Sequence, residues 1–145
     1  MKKPRATSTG KRPSRGKPKL LKDGSVAEHV IQDQILRWLR STGLLHWRQQ
    51  AGTIFIGKRR FWIAPSGLPD IIVVLPPNGR FLGLEVKSAK GALRKKQKLF
   101  RDRAYKIGAL YKVVRTRKEA MQAVAEALGE DLWKGLQLSK AKSTA

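Results

Sequence analysis

The chain has 145 residues, of which 32 are Lys or Arg and 10 are Asp or Glu, a formal charge of +22 at neutral pH. Such an excess calls for a polyanionic partner, nucleic acid first, because a membrane-surface protein would show a basic amphipathic helix with an aromatic-rich face. There is no cysteine, which excludes a disulfide framework and a thiolate metal site. The length suits one domain with a single core; with no apolar stretch after Met1, Lys2 and Lys3 and no run able to span a bilayer, a soluble, cytoplasmic protein is expected.

Residues 1–22 hold nine Lys or Arg and no acid, among repeated Pro, Ser, Thr and Gly. Too little apolar surface is present to offset the entropy of ordering, so this segment reads as a disordered tail. It suits a phosphate-binding arm, a solubilising extension or a localisation signal. The remainder keeps 23 basic residues against 10 acidic ones, and the domain expected over residues 23–138 is basic in its own right. Ser25 and Glu28 have the Ser-x-x-Glu spacing of a helix capping box. Ala27, Val30, Ile31, Ile35, Trp38 and Leu39 then recur at helical spacing, and Gly43 suits the C-terminal cap.

From Leu44 to Ile63 the sequence reads as short strands broken at Gly52 and Gly57. Lys58, Arg59 and Arg60 beside Phe61 and Trp62 suit a DNA-contacting hairpin, with a cation on phosphate and a ring on a base. The same aromatic residues also suit a core beside a solvated charge run. Ile54, Phe55, Ile56, Phe61 and Trp62 offer more apolar side chains than one sheet face of a small domain readily covers. Two readings stay open: both alternating sets are buried within the monomer, or the region is the interface of a homodimer.

The stretch from Gly67 to Gln97 holds the chemistry. Asp70 opens the apolar run Ile71 to Leu75, which lacks alternation, as a central strand covered on both faces would. Pro76-Pro77-Asn78-Gly79 allows a hairpin into the strand from Arg80 to Ser88. There the two-residue period points Glu85 and Lys87 out of one face and Leu82, Leu84 and Val86 out of the other. Two acids and an amine so placed make a pocket suited to a divalent cation and an anionic substrate. Leu93, Phe100, Ala104 and Ile107 mark one stripe of a helix ending near Gly108, and Gln97 falls on that stripe, where a lone amide should turn toward a polar site. Lys90, Arg94, Lys95, Lys96, Lys98 and Arg101 belong to a phosphate track on its other faces. Leu110 to Val114 is the next strand, expected parallel to its predecessor through a crossover. Thr116 and Glu119 give a second capping box for a closing helix with Ala120, Ala123, Val124 and Leu128 inside. A short helical turn is expected over residues 131–138, and residues 139–145 should fray.

Pro69-Asp70, followed after fourteen residues by Glu85-Val86-Lys87, resembles the signature of the PD-(D/E)-x-K nucleases. With Gly67, Leu68, Ser88, Gly91, Leu93, Arg94 and Gln97, the pattern from about Ser25 to Arg115 is similar to the VRR-NUC (virus-type replication-repair nuclease) family. The resemblance implies an α/β fold with a restriction-endonuclease-like core, a mixed sheet flanked by helices. It further implies a DNA endonuclease using Mg²⁺ or Mn²⁺, hard cations held by Asp70, Glu85 and the backbone carbonyl of Val86. Lys87 would orient or deprotonate the attacking water, Gln97 would hold Lys87 or the water, and Glu28 corresponds to a helix-borne acid that contributes to the site; Glu28 is thus either a helix cap or catalytic. Stand-alone members of this size look like homodimers acting on branched DNA such as four-way junctions. Nonspecific or site-specific duplex cleavage is the alternative, as is a nonenzymatic nucleic-acid-binding protein.

Overall fold

In the computed structural model, residues 20–50 and 52–143 are described. The chain begins there with a tight turn, in which Leu20 bridges to Val26 and the Leu21 N–H donates to the Ser25 carbonyl. Leu20 to Lys22, expected in the tail, therefore pair back onto the domain; the rest of the expected tail lies outside the described residues. Helix α1 spans Glu28–Arg40, followed by strands β1 (Leu45–Arg48), β2 (Gly52–Ile56), β3 (Arg59–Ala64), β4 (Ile71–Leu75) and β5 (Arg80–Val86). Helix α2 (Lys95–Lys106), strand β6 (Leu110–Val114), and helices α3 (Arg117–Leu128) and α4 (Glu130–Ser143) complete it.

Four strands form the central mixed sheet in the order β1-β4-β5-β6. The β1/β4 and β4/β5 pairs are antiparallel and β5/β6 is parallel, joined through α2 as the crossover requires. On one face Ile71, Val73, Leu82, Leu84 and Val86 meet Ile31, Ile35 and Leu39 of α1 and Ala120 and Val124 of α3 in one core. On the other face lie Glu85 of β5 and Lys87 just beyond its end, both buried, on the side where Phe100 of α2 packs against Phe81 and Tyr111. The strand period thus separates an apolar face from a polar one within seven residues of β5.

Local departures from the sequence reading have local causes. The first capping box does not form: α1 is capped at Ala27 without a side-chain bond. The Asp23 carboxylate has taken both the hydroxyl and the N–H of Ser25, at 2.6 and 3.0 Å. At the other end Ser41 is the C-cap, with Gly43 two residues further on in the left-handed region. Gln32 and Leu36 join the buried stripe, while Val30 is only half-buried. Leu93 precedes α2, whose N-cap is Arg94 with the Gln97 side chain accepting from its N–H, and Ile107, the C-cap, is exposed. Only half of the second capping box forms: the Thr116 hydroxyl accepts from the Glu119 N–H, while the Glu119 carboxylate accepts from the N–H of Arg115, one residue before the cap, and not from Thr116. Helix α4 runs on to Ser143, past the expected short turn and through most of the expected frayed end. Its Trp133 lies 6.5 Å from the Trp38 ring, a tilted aromatic pair that docks α4 on α1.

Candidate active site

Asp70 ends a loop that two glycines hold in place. Gly67 has φ +98°, and a Cβ there would lie 2.4 Å from the Lys96 carbonyl oxygen, so only glycine lets this loop lie against the start of α2. Gly83 of β5 leaves room for the Pro69 ring, which a Cβ would meet at 2.6 Å. Pro69 is thereby seated on the sheet and the next residue is aimed along it. The Asp70 carbonyl accepts from the Gln49 N–H, extending the β1 pairing, and its Oδ2 accepts from the Val86 N–H at 2.8 Å. Since Ile71 pairs with Leu84, the antiparallel register brings Asp70 level with Glu85.

Glu85 is 1% exposed and its carboxylate is held on both oxygens. Oε1 accepts from Lys87 Nζ at 2.7 Å and from Gln97 Nε2 at 2.5 Å. Oε2 accepts from the Tyr111 hydroxyl at 3.1 Å. The Gln97 Oε1 meanwhile accepts from the Arg94 N–H, so one amide ties Glu85 to the first turn of α2. Glu28 is neither free nor a cap: its Oε1 accepts from the Ser88 N–H at 3.1 Å, sixty residues away, and fixes the chain as it leaves β5. Arg115 secures the same segment through the carbonyls of Ala89 and Gly91.

Burial pushes the Asp70 carboxyl above the usual range, opposed by the Val86 N–H and by Lys87, and Glu28 adds to the rise. Burial likewise raises Glu85, against the hydrogen bond from Lys87, and the Asp70 charge raises it further. Tyr111 is pushed strongly upward by burial and by Glu85, so its hydroxyl donates and does not ionise. Two carboxylates that repel each other across neighbouring inner strands are a site whose charge a hard cation would relieve. Oxygen donors of this kind suit Mg²⁺ or Mn²⁺. Among the described residues no group of three acidic, His or Cys side chains is gathered for a metal. Asp70 and Glu85 fit the usual binding of Mg²⁺, which takes one or two carboxylates and completes its shell with water and phosphate oxygen.

Beside them opens a cleft of about 550 Å³, lined by Asp70, Gln97, Arg94, Lys95, Lys96 and the Ser66 to Leu68 loop. Asp70 and Gln97 reach its wall, with Glu85 behind. The structure thus brings together Asp70, Glu85, Lys87 and Gln97, with Glu28 joined to them through Ser88. Of the expected phosphate track, Arg94, Lys95 and Lys96 line the cleft. Lys90, Lys98 and Arg101 do not, and Arg101 is paired with Asp102; Arg59 and Arg60 sit on a separate two-stranded sheet, with Lys58 in its turn. Tyr111 escaped the sequence reading. Its signal was a lone phenol in an apolar strand, a hydroxyl that must find a partner once buried.

A mixed sheet flanked by helices, with paired carboxylates and an amine at a basic cleft, defines a domain of restriction-endonuclease-like fold and nuclease type. The VRR-NUC domain family matches residues 25–118, and the chain belongs to that family. It is therefore a hydrolase of the nuclease class with DNA as its substrate. A solved VRR-NUC domain structure is similar in fold, with a TM-score of 0.51 and 24% identity over 67% of this chain and 92% of its own. No curated protein matches the chain. Among the described residues no helix is long and apolar enough to cross a membrane.

Proposed function

We propose that this chain is an endodeoxyribonuclease that requires Mg²⁺ or Mn²⁺ and cuts branched DNA, four-way junctions above all. The observation that carries the reading is a cleft lined by Asp70 together with Arg94, Lys95 and Lys96, with Glu85 level with Asp70 just behind the lining Gln97. A phosphodiester entering that cleft meets three cations and then two carboxylates. Anions alone would repel it, and cations alone would bind it without chemistry.

Asp70, Glu85 and the Val86 carbonyl would hold the cation, which when bound supplies Lewis-acid polarisation of the scissile phosphate. The chain's own groups do the rest. Lys87 stands 2.7 Å from Glu85, where its amine can turn from the carboxylate to the attacking water or to the charge building on phosphoryl oxygen. Gln97 keeps Glu85 in one rotamer and, through Arg94, sets the distance between the carboxylates and the basic first turn of α2. Glu28 positions Ser88 and, through it, the exit of β5.

The preference for junctions rests on a two-fold dimer, since paired incisions need two sites and one interface supplies both. The face of the β2–β3 hairpin that carries Ile54, Ile56 and Phe61 is the surface we assign to it; all three side chains are exposed in the monomer.

The test is cleavage of labelled duplex, flap and four-way-junction DNA by the purified chain, with Mg²⁺, Mn²⁺ or EDTA. Paired symmetric nicks in the junction, abolished by EDTA and by Asp70→Ala, are expected. Cleavage by Asp70→Ala at the wild-type rate would remove Asp70 from the site, and equal cutting of plain duplex would remove the preference for branches.

A further inference from the structure

Among the described residues the β2–β3 hairpin pairs only with itself. Its strands are joined by Gly57 and Lys58, and the register sets Thr53 against Trp62, Ile54 against Phe61, Phe55 against Arg60 and Ile56 against Arg59. Directly paired residues share a face, and faces alternate along a strand. One face therefore carries Ile54, Ile56 and Phe61 with Arg59. The other carries Phe55 and Trp62 with Arg60 and Thr53. The expectation that both alternating sets are buried within the monomer fails here: Phe55 is 68% exposed and Trp62 is 70% exposed.

We propose that the Phe55, Arg60 and Trp62 face stacks on unpaired bases of the DNA substrate, an inference that rests on the DNA-cleaving reading above. Two exposed rings sharing one face with a guanidinium make the combination that holds single-stranded nucleic acid, ring on base and cation on phosphate. Composition separates this face from the other: it holds the two most exposed rings of the hairpin beside Arg60, whereas Ile54 and Ile56 make the opposite face largely aliphatic. Nucleotides also bring the anions that a chain of +22 attracts. Paired bases are already stacked, so open rings favour nucleotides freed from pairing. Position agrees: Gly52 and Ser66, at the hairpin's root, line the cleft that holds Asp70, and a five-residue strand reaches only about 17 Å from there. The hairpin would thus read the unpaired nucleotides beside the scissile phosphate.

The experiment measures binding in EDTA with the Asp70→Asn chain, expected not to cut, using oligothymidine and a fully paired duplex of equal length. Because binding is read without cleavage, its outcome is separable from that of the cleavage assay. Phe55→Leu or Trp62→Leu should weaken oligothymidine binding by roughly 5- to 150-fold per ring and leave duplex binding within about twofold. Tyr at either position, which keeps the ring, should restore it. Oligothymidine should also quench tryptophan emission, and Trp62→Phe should keep the affinity while losing the quench, which does not depend on the Leu variants folding. Equal losses on both DNAs would overturn stacking. So would unchanged binding together with loss of the dimer by light scattering, which would make a second copy the occupant.

Discussion

Replacing Lys87 by Met takes the amine away from a carboxylate that is 1% exposed and leaves Glu85 with two choices. It can stay charged and unpaired, which costs about 3–5 kcal/mol for a broken buried pair. Alternatively it can bind a proton. At pH 7.5 that lies three units above the ordinary glutamate value of 4.5, and at about 1.4 kcal/mol per unit the proton limits the loss to about 4 kcal/mol. At pH 5.5, one unit above that value, the limit falls to about 1.4 kcal/mol. The sign follows from linkage: with Lys87 gone the folded carboxyl rises further above its unfolded value. The variant's stability is then full below the unfolded value and is lost as pH climbs through the folded one. Thermal melting in EDTA should show Lys87→Met far below wild type at pH 7.5, by roughly 10–20 °C for a domain of this size, and close to it at pH 5.5. The double variant E85Q/K87M, neutral at both positions, should melt within a few degrees of wild type at either pH and cut no DNA. A Lys87→Met loss of the same size at both pH values would refute the reasoning, as would no loss at pH 7.5; the first would trace it to packing and the second to a pair that is solvated.

Gly67→Ala must place a Cβ 2.4 Å from the Lys96 carbonyl at a φ of +98°. The backbone strain alone costs about 1–3 kcal/mol, and the loop has to lift from α2. A melting temperature lowered by several degrees together with a cleavage rate down at least tenfold is expected; an unchanged rate would free the Asp70 loop from this constraint. Tyr111→Phe removes a hydrogen bond that holds the Glu85 pKa down. Its acid limb in the pH-rate profile should therefore move to higher pH, with the rate recovering at alkaline pH; a uniform loss at all pH values would assign the residue to packing. Deleting residues 1–19 should weaken duplex and branched DNA binding alike. It should flatten the salt dependence by about 0.9 log units per log unit of salt for each phosphate that the segment neutralises, and an unchanged slope would reduce the segment to a solubilising extension.

Much of this arrangement is written in short-range pattern. The two-residue period of β5 is enough to put Glu85 and Lys87 opposite Leu84 and Val86, because a strand has no other way to turn its side chains. Thr116 caps α3 since no competing acid stands nearby. Ser25 and Glu28 show the same spacing and do something else, for Asp23 takes the serine and a distant N–H takes the glutamate. Spacing states what a pair can do, and competition for the same donors decides. Tertiary partners are hidden for a related reason. Nothing beside Tyr111 in the sequence names Glu85, and nothing beside Gly67 names Lys96, because those neighbours meet only after α2 crosses the sheet. The apolar hairpin residues were legible as a surplus, but alternation is silent about whether anything covers either face.

The hairpin's two ends are themselves a paired position, Gly52 against Ala64. Partners across a ladder lie roughly 5 Å apart, so the whole protrusion leaves and re-enters the domain through a single narrow doorway. Whatever lies beyond that doorway can be exchanged, lengthened or closed off by a short linker without cutting a strand of the central sheet. The domain thus offers a graft point on the rim of its own cleft, where a different hairpin would change which DNA is presented while Asp70, Glu85 and Lys87 stay as they are.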